Sequence, residues 1–377
     1  MIMNRYGEYV PELNRGACTD CSVCLHCCPF VDDLSVAADE SSLSAAAFAD
    51  TPGMRRTEET GYYLACYAGH VAQPGRRVRR SSGGLTTWLL ETLWEKGLIS
   101  AAACVCPAQG PRPLFSYRIL HDARDLRGTA KSAYYPVELS ETIRRIVSEP
   151  ERTYALVVLP CMAKGLRRAM QHSARLRERI GVIIGLVCGQ MKSALYTDYL
   201  SVTCGFEPTS VCGVDYRVHE AKRRADDYGC RIRSDSSHGI AEKTLFQSEG
   251  IGRLWSDGFF KLNACNFCDD VFAECADVAC MDAWLPEYRH ARQGTNLMLV
   301  RSPAVHMIME QARTGGEIVA EPVSVGKVVD SQRGIVTMKR EVLQHRLHLP
   351  DCRQGTKRRR LVAPDRKSTR LNSSHYS

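Results

Sequence analysis

Apolar residues recur at helical spacing over Leu85–Lys96, where Leu85, Trp88, Leu89 and Leu93 fall on one face and Gly97 ends the run. Ile99–Cys106 follows as a nearly continuous apolar run of strand length. The alternation then repeats. Strand Tyr154–Leu159 precedes a helix from about Met162 to His172. Strand Val182–Val187 precedes a helix over Ser193–Val202, and strand Leu297–Val300 precedes a helix over Ala304–Ala312. Strands alternating with helices predict an α/β fold: a mixed sheet core with helices on both faces. Upstream, the Ala/Ser-rich stretch Ser41–Asp50 reads as helix or linker, and a turn-rich segment runs on to Arg80. The chain has no internal repeat.

Length adds a constraint. A chain of 377 residues suggests two domains or one large one with additions. The expected division is a small N-terminal segment (1–50), an α/β core (51–310), a C-terminal helical extension (311–352) and a tail (353–377). The formal net charge of +8 is misleading. Residues 353–377 hold eight Lys or Arg and one Asp, so that segment alone carries +7 and the rest of the chain +1. A near-neutral body gives no argument for nucleic acid. Asp365–His375 reads like translated sequencing-adapter sequence, so the tail is expected to be non-native or disordered. Met1–Val10 has no apolar signal core, and the longest apolar runs, such as Ile180–Cys188, are far too short to span a membrane. A cytoplasmic protein is expected, in which 18 cysteines point to metal rather than disulfides.

The strongest chemical signal is Cys18-Thr19-Asp20-Cys21-Ser22-Val23-Cys24-Leu25-His26-Cys27-Cys28-Pro29. Cys18, Cys21, Cys24 and Cys28 follow the spacing C-x2-C-x2-C-x3-C-P by which bacterial ferredoxins hold a cubane cluster. Two-residue loops let three thiolates converge on one cube, and the proline turns the chain away. Zinc is the competing ligand, but its sites usually pair two C-x2-C units across a longer loop. The 1–50 segment is therefore read as a small ferredoxin-like iron–sulfur segment carrying a 4Fe-4S cluster. Cys27 is a spare that could exchange with Cys28.

A second set is scattered. Cys161 and Cys188 each directly follow a buried strand, at the sheet edge where α/β proteins bind ligands. Cys265-Asn266-Phe267-Cys268 is a C-x2-C pair that completes four ligands for a second cluster. Either lone cysteine is equally compatible with simple burial. Cys275 and Cys280 could substitute, and Cys66 could reach either cluster. Cys104, Cys106, Cys204, Cys212, Cys230 and Cys352 read as structural. Arg80-Ser81-Ser82-Gly83-Gly84-Leu85-Thr86-Thr87 opens the Leu85 helix, and small residues at a helix start make a phosphate site, although any N-cap has a similar look. Lys131-Ser132-Ala133-Tyr134 supplies a cation and a ring, or is only an exposed loop. Asp269, Asp270, Asp277 and Asp282 read as hydrogen-bond acceptors organising the late cysteines rather than as a divalent-ion site.

These pieces stand in a recognisable order. The chain resembles the coenzyme F420 hydrogenase/dehydrogenase beta-subunit family through Cys18–Pro29, Cys66–His70, Arg80–Leu85, Gly97–Ile99, Lys131–Tyr134, Leu159–Cys161, Gly185–Gly189, Asp215–Arg217 and Cys265–Trp284. Met162 and Met281 stand where the family often has Gln and Gly. The resemblance implies an iron–sulfur flavoprotein oxidoreductase with one or two 4Fe-4S clusters and FAD. It places Ser82, Gly83, Gly84 and Thr86 at the flavin phosphates, and Lys131, Ser132 and Tyr134 around the flavin, with Lys131 and Tyr134 as the only candidate proton donors. It assigns Cys161, Cys188, Cys265 and Cys268 to the inner cluster. The implied substrate is coenzyme F420 or another conjugated small molecule. The implied partner is a redox protein: a ferredoxin, or a hydrogenase or dehydrogenase subunit. The alternative is a non-catalytic electron-transfer or scaffold subunit of a larger redox or polysaccharide-synthesis complex.

Overall fold

The computed structural model describes residues 1–31, 38–73, 82–110, 112–129, 131–149, 152–220, 222–224, 226–236, 239–288, 291 and 294–343. Arg80, Ser81, Cys352 and the 353–377 tail lie outside the described residues. The chain opens with the two-residue strands β1 (Ile2–Met3) and β2 (Tyr9–Val10). Then come helices α1 (Val23–Cys27) and α2 (Glu40–Phe48) and the short hairpin β3 (Arg55–Thr57) and β4 (Gly61–Tyr63). Strand β5 (Ala65–Val71), helix α3 (Leu85–Glu95), strands β6 (Ala101–Pro107) and β7 (Phe115–Leu120), and helix α4 (Ser140–Ser148) follow. Next are β8 (Tyr154–Val158), α5 (Pro160–His172), α6 (Ala174–Arg179), β9 (Ile180–Leu186) and α7 (Ala194–Thr203). Strands β10 (Val211–Val218), β11 (Gly229–Ser236) and β12 (Gly239–Phe246) lead to α8 (Ile251–Ser256), β13 (Val278–Asp282) and β14 (Asn296–Val300). The described chain closes with α9 (Pro303–Thr314), β15 (Ile318–Pro322), α10 (Val325–Ser331) and α11 (Arg333–Val336), which runs into a π-helical turn over Thr337–Glu341.

Eight strands form the main sheet in the order β15-β5-β14-β13-β9-β8-β6-β7. The central run β13, β9, β8 and β6 is parallel, and antiparallel pairs flank it on both sides, so the sheet is mixed. Successive strand residues point to opposite faces, and both faces are buried. Ala101, Ala103, Leu156, Val158, Ile183 and Ala279 meet helices α4, α5, α6 and α10 on one side. Ala102, Cys104, Ala155, Ile184, Val278 and Cys280 meet α3 and α9 on the other. Double burial is why these strands read as continuous apolar runs. A separate three-stranded antiparallel sheet, β10-β11-β12, shares a smaller core with α7 and α8.

Two differences from the sequence reading have simple causes. The helix expected from Met162 starts at Pro160, because proline is favoured in a first helical turn. Cys161 therefore lies inside a helix start rather than in a loop. The segment after residue 310 is not helical throughout, since β15 adds an edge strand to the main sheet beside β5. No helix among the described residues is long and apolar enough to cross a membrane.

Candidate functional site: a crevice beside two cysteine sets

The carboxyl ends of the four parallel strands open into one cavity of about 320 Å³, a volume within the usual range for small-ligand sites. Val105 of β6, Val157 and Val158 of β8, Leu186 of β9, and Cys280, Met281 and Asp282 of β13 form its base. This is the edge at which open α/β sheets take ligands. Helix α3 begins at the same edge, and Ser82, Gly84 and Thr86 line the cavity. The N-cap of α3 is Gly84, which has no side chain to cap the helix. Asn296 Oδ1 accepts the Leu85 N–H at 3.0 Å, and Ser82 Oγ donates to the Thr295 carbonyl at 3.2 Å, which fixes the turn. Gly84 has φ +86°. A Cβ at Gly83 would stand 2.8 Å from the Gly69 carbonyl oxygen. Gly83 is therefore not in the wall; it is what allows the wall to sit where it does.

Lys131, Ser132 and Tyr134 line the opposite side. Lys131 Nζ donates to Asp215 Oδ2 at 2.5 Å, and Tyr134 stacks 4.6 Å from the Trp255 ring. Sequence reasoning missed much of this wall. Arg217 of β10 is buried and paired with Asp282 at 2.9 Å. It donates to the Tyr134 hydroxyl at 3.3 Å and sits over the Tyr228 ring at 4.1 Å. Burial, the largest single influence, would lower its pKa, but Asp282, Tyr134 and Tyr228 together outweigh it and hold the guanidinium above its ordinary value. The Asp215-Tyr216-Arg217 triplet was the available signal. Trp284 closes the Cys265–Trp284 landmark, whereas Trp255, Gln190 and Gln332 gave no signal.

Cys188 also lines the cavity, and the structure brings the second cysteine set together around it. The Cys188 N–H donates to the Val271 carbonyl at 3.2 Å, three residues past Cys268. The Met191 N–H donates to Cys265 Sγ at 3.4 Å. Cys161 arrives from the first turn of α5. The four thiols lie within electrostatic reach of one another. Burial, then the charges of Cys268, Cys188 and Cys265, push Cys161 well above the ordinary thiol value. Burial pushes Cys188 up to about 12. Lys339, from the π-helical turn, donates to Cys268 Sγ at 3.1 Å; nothing in the sequence pointed to it.

Among the described residues, no three His, Cys, Asp or Glu side chains converge on a single metal ion. A cubane spreads its four thiolates further apart than one ion does, and the inner set fits that chemistry. It has four half-buried cysteines, with one N–H donor at Cys265 and one ammonium donor at Cys268.

The outer run is exposed at Cys18, Cys21 and Cys24 and half-buried at Cys28. Asp20 and Ser22 have φ +51° and +59°, an uncommon conformation for two nearby non-glycine residues. It curls the loop so that the Val23 N–H, then the Thr19 hydroxyl, reach Cys21 Sγ and lower its pKa. This segment docks on α5. A Cβ at Gly165 would lie 3.4 Å from the Cys27 carbonyl oxygen. Arg168, 1% exposed, donates to the carbonyls of Cys28, Val31 at 3.0 Å and Ala38 at 2.8 Å. At about 1.5 Å rise per residue, one helix thus sets both cysteine sets within a few turns of each other.

Among the described residues, Cys27 adjoins the outer set and the remaining cysteines belong to neither set. Cys66 lies in the sheet beside Arg55 and Arg301, and burial raises it to about 12. Cys275 is in the same core and donates to the Glu40 carbonyl. Cys104 and Cys280 line the cavity from below, Cys106, Cys204 and Cys230 are buried, and Cys212 is exposed. The acidic residues act as acceptors. Asp277 takes the Ile183 N–H and the Arg167 guanidinium, and Asp270 takes the Glu274 N–H.

Fold and site together define an α/β protein with a cofactor-sized crevice at its strand ends and thiols at the crevice wall. The chain belongs to the coenzyme F420 hydrogenase/dehydrogenase beta-subunit family, a family of oxidoreductase subunits. It matches the N-terminal part of that beta subunit over residues 66–144 and the C-terminal part over 151–325. Among solved structures, it is similar to a chain of the xenon-derivatised F420-reducing NiFe hydrogenase complex from Methanosarcina barkeri. The TM-score is 0.56 at 13% identity, over 75% of this chain and 92% of that one. No curated protein sequence matches it.

Proposed function

We propose that the protein is an iron–sulfur flavoprotein oxidoreductase of the cytoplasm. In this reading Cys18, Cys21, Cys24 and Cys28 hold an outer 4Fe-4S cluster, and Cys161, Cys188, Cys265 and Cys268 hold an inner one. FAD binds in the crevice, and the protein reduces or oxidises coenzyme F420 or another conjugated small molecule in exchange with a redox partner subunit. The observation that carries it is Cys188, which belongs to the inner cysteine set and to the crevice wall at once.

Clusters exchange single electrons and a flavin exchanges pairs or hydride, so the chemistry is the cofactors' own. The chain's residues bind, orient and exclude water. The α3 N-terminus with Ser82, Gly83, Gly84 and Thr86 offers N–H groups and a positive dipole end to phosphate. Tyr134, Trp255, Tyr228 and Trp284 present rings to a planar group. Lys131 and Tyr134 are the candidate proton donors. Lys131 is tied to Asp215 and Tyr134 to Arg217, which holds both side chains in place at the crevice wall.

The test is anaerobic. Protein reduced with dithionite, freed of excess and mixed with F420 or another conjugated acceptor, is expected to return to its oxidised spectrum as the acceptor is reduced. Reduced protein that no small acceptor reoxidises, but that reduces a partner protein, would favour the second reading. That reading is an electron-transfer or scaffold subunit with no substrate of its own.

A further inference from the structure

The clearest feature left unassigned is a buried ammonium among the inner cysteines. Lys339 is 3% exposed, and its Nζ lies 3.1 Å from Cys268 Sγ and 2.6 Å from the Asp270 carbonyl oxygen. It comes from the π-helical turn Thr337–Glu341, more than 70 residues beyond Cys268 in sequence. Such turns are rare and recur at functional sites. The next residue, Arg340, donates to the carbonyls of Glu58 and Glu59 and reaches the Asp269 carbonyl, so the turn is clamped over this loop. Asp270, whose carboxylate also faces the ammonium, spends Oδ2 on the Glu274 N–H.

We propose that Lys339 sets the reduction potential of the inner cluster by donating an N–H···S hydrogen bond to Cys268 and placing a fixed positive charge beside it. The inference rests on the inner-cluster assignment above. Reduction adds one electron and one negative charge to the cluster. Hydrogen bonds to sulfur and local charge are the levers by which a protein moves such potentials. A cation that touches the sulfur stabilises the reduced form more than the oxidised one. The C-terminal turn thereby raises the potential of the inner cluster and makes it a better electron acceptor than the same four thiolates would be without the ammonium.

The experiment is an anaerobic redox titration of the cluster-loaded protein, followed by electron paramagnetic resonance, on wild type, Lys339→Met and Lys339→Arg. Lys339→Met is expected to disfavour inner-cluster reduction about tenfold or more, which is about 59 mV for a one-electron couple. The outer cluster serves as internal control and should stay put, and Lys339→Arg should recover most of the shift. A second measurement needs no variant to fold. Selective nitrogen-15 lysine labelling of the wild type should give a hyperfine coupling at the reduced inner cluster. An inner cluster with an unchanged potential in Lys339→Met, or without a lysine nitrogen coupling, overturns the inference and leaves the cluster assignment standing. Protein whose iron is untouched by Cys265→Ser overturns both.

Discussion

At the scale of residues, the site depends on groups whose role is steric or electrostatic rather than reactive. Gly83 is one. Its missing Cβ leaves room for backbone atoms of Gly69 and Asn296, which cannot swing aside as a side chain would. Gly83→Ala should cost about 1–3 kcal/mol in forced displacement of the turn and weaken flavin binding roughly ten- to hundredfold. Flavin titration of the apoprotein checks it, and unchanged affinity would remove Gly83–Gly84 from the phosphate site. Lys192 is another. It is fully buried and held by the carbonyls of Leu254 and Phe259 rather than by a carboxylate. Burial, with the like charge of Lys261, depresses its pKa to about 8. The unfolded chain holds that proton to about pH 10.4, so between these values the unfolded state binds more protons and stability rises with pH. The stability of wild type minus that of Lys192→Met should therefore climb by up to roughly 3 kcal/mol from pH 8 to pH 10.5. Denaturant midpoints at each pH measure it; a difference that is flat with pH would contradict the depressed value.

At the scale of elements, α5 is the member that joins the two cysteine sets. Its first turn presents Cys161, and Arg168 anchors the outer run through three carbonyls. Each buried acceptor left unpaired costs about 1–3 kcal/mol, so Arg168→Leu is expected to release that segment. Iron should fall from about eight to about four per chain, given two four-iron clusters, with flavin retained. Loss of flavin along with iron would mean that α5 braces the crevice itself. Gly165→Ala, by contrast, meets its neighbours at ordinary contact distance and should be tolerated. The parallel strands and their helices were legible because double burial writes a continuous apolar run. Strands β10 to β12 were not. One face of that sheet meets water, so β11 alternates Arg231, Arg233 and Asp235 with Cys230, Ile232 and Ser234 and forms no continuous apolar run. Strand β5 was hidden by its length and by Gly69, although Cys66–His70 already marked it as a family landmark.

At the scale of the whole molecule, the crevice is assembled from segments far apart in sequence: the α3 start, the 131–134 loop, four strand ends, β10, and Gln332 and Ile335 at α11. Ligand types with local spacing could be read directly, which is why the outer run and the Cys265–Cys268 pair stood out. Side chains that act through tertiary placement could not. Arg217 was marked only by the Asp215–Arg217 landmark, which did not reveal its place in the wall, and nothing in its own segment singled out Lys339. The convergence of Cys161, Cys188, Cys265 and Cys268 beside the crevice is the central claim, and metal analysis tests it most directly. Iron, sulfide, zinc and flavin should be counted in anaerobically purified wild type, Cys21→Ser and Cys265→Ser. The account predicts about eight iron and eight sulfide with one flavin in wild type, and about four iron in each variant. Zinc in place of iron, or iron that Cys265→Ser leaves unchanged, would contradict it.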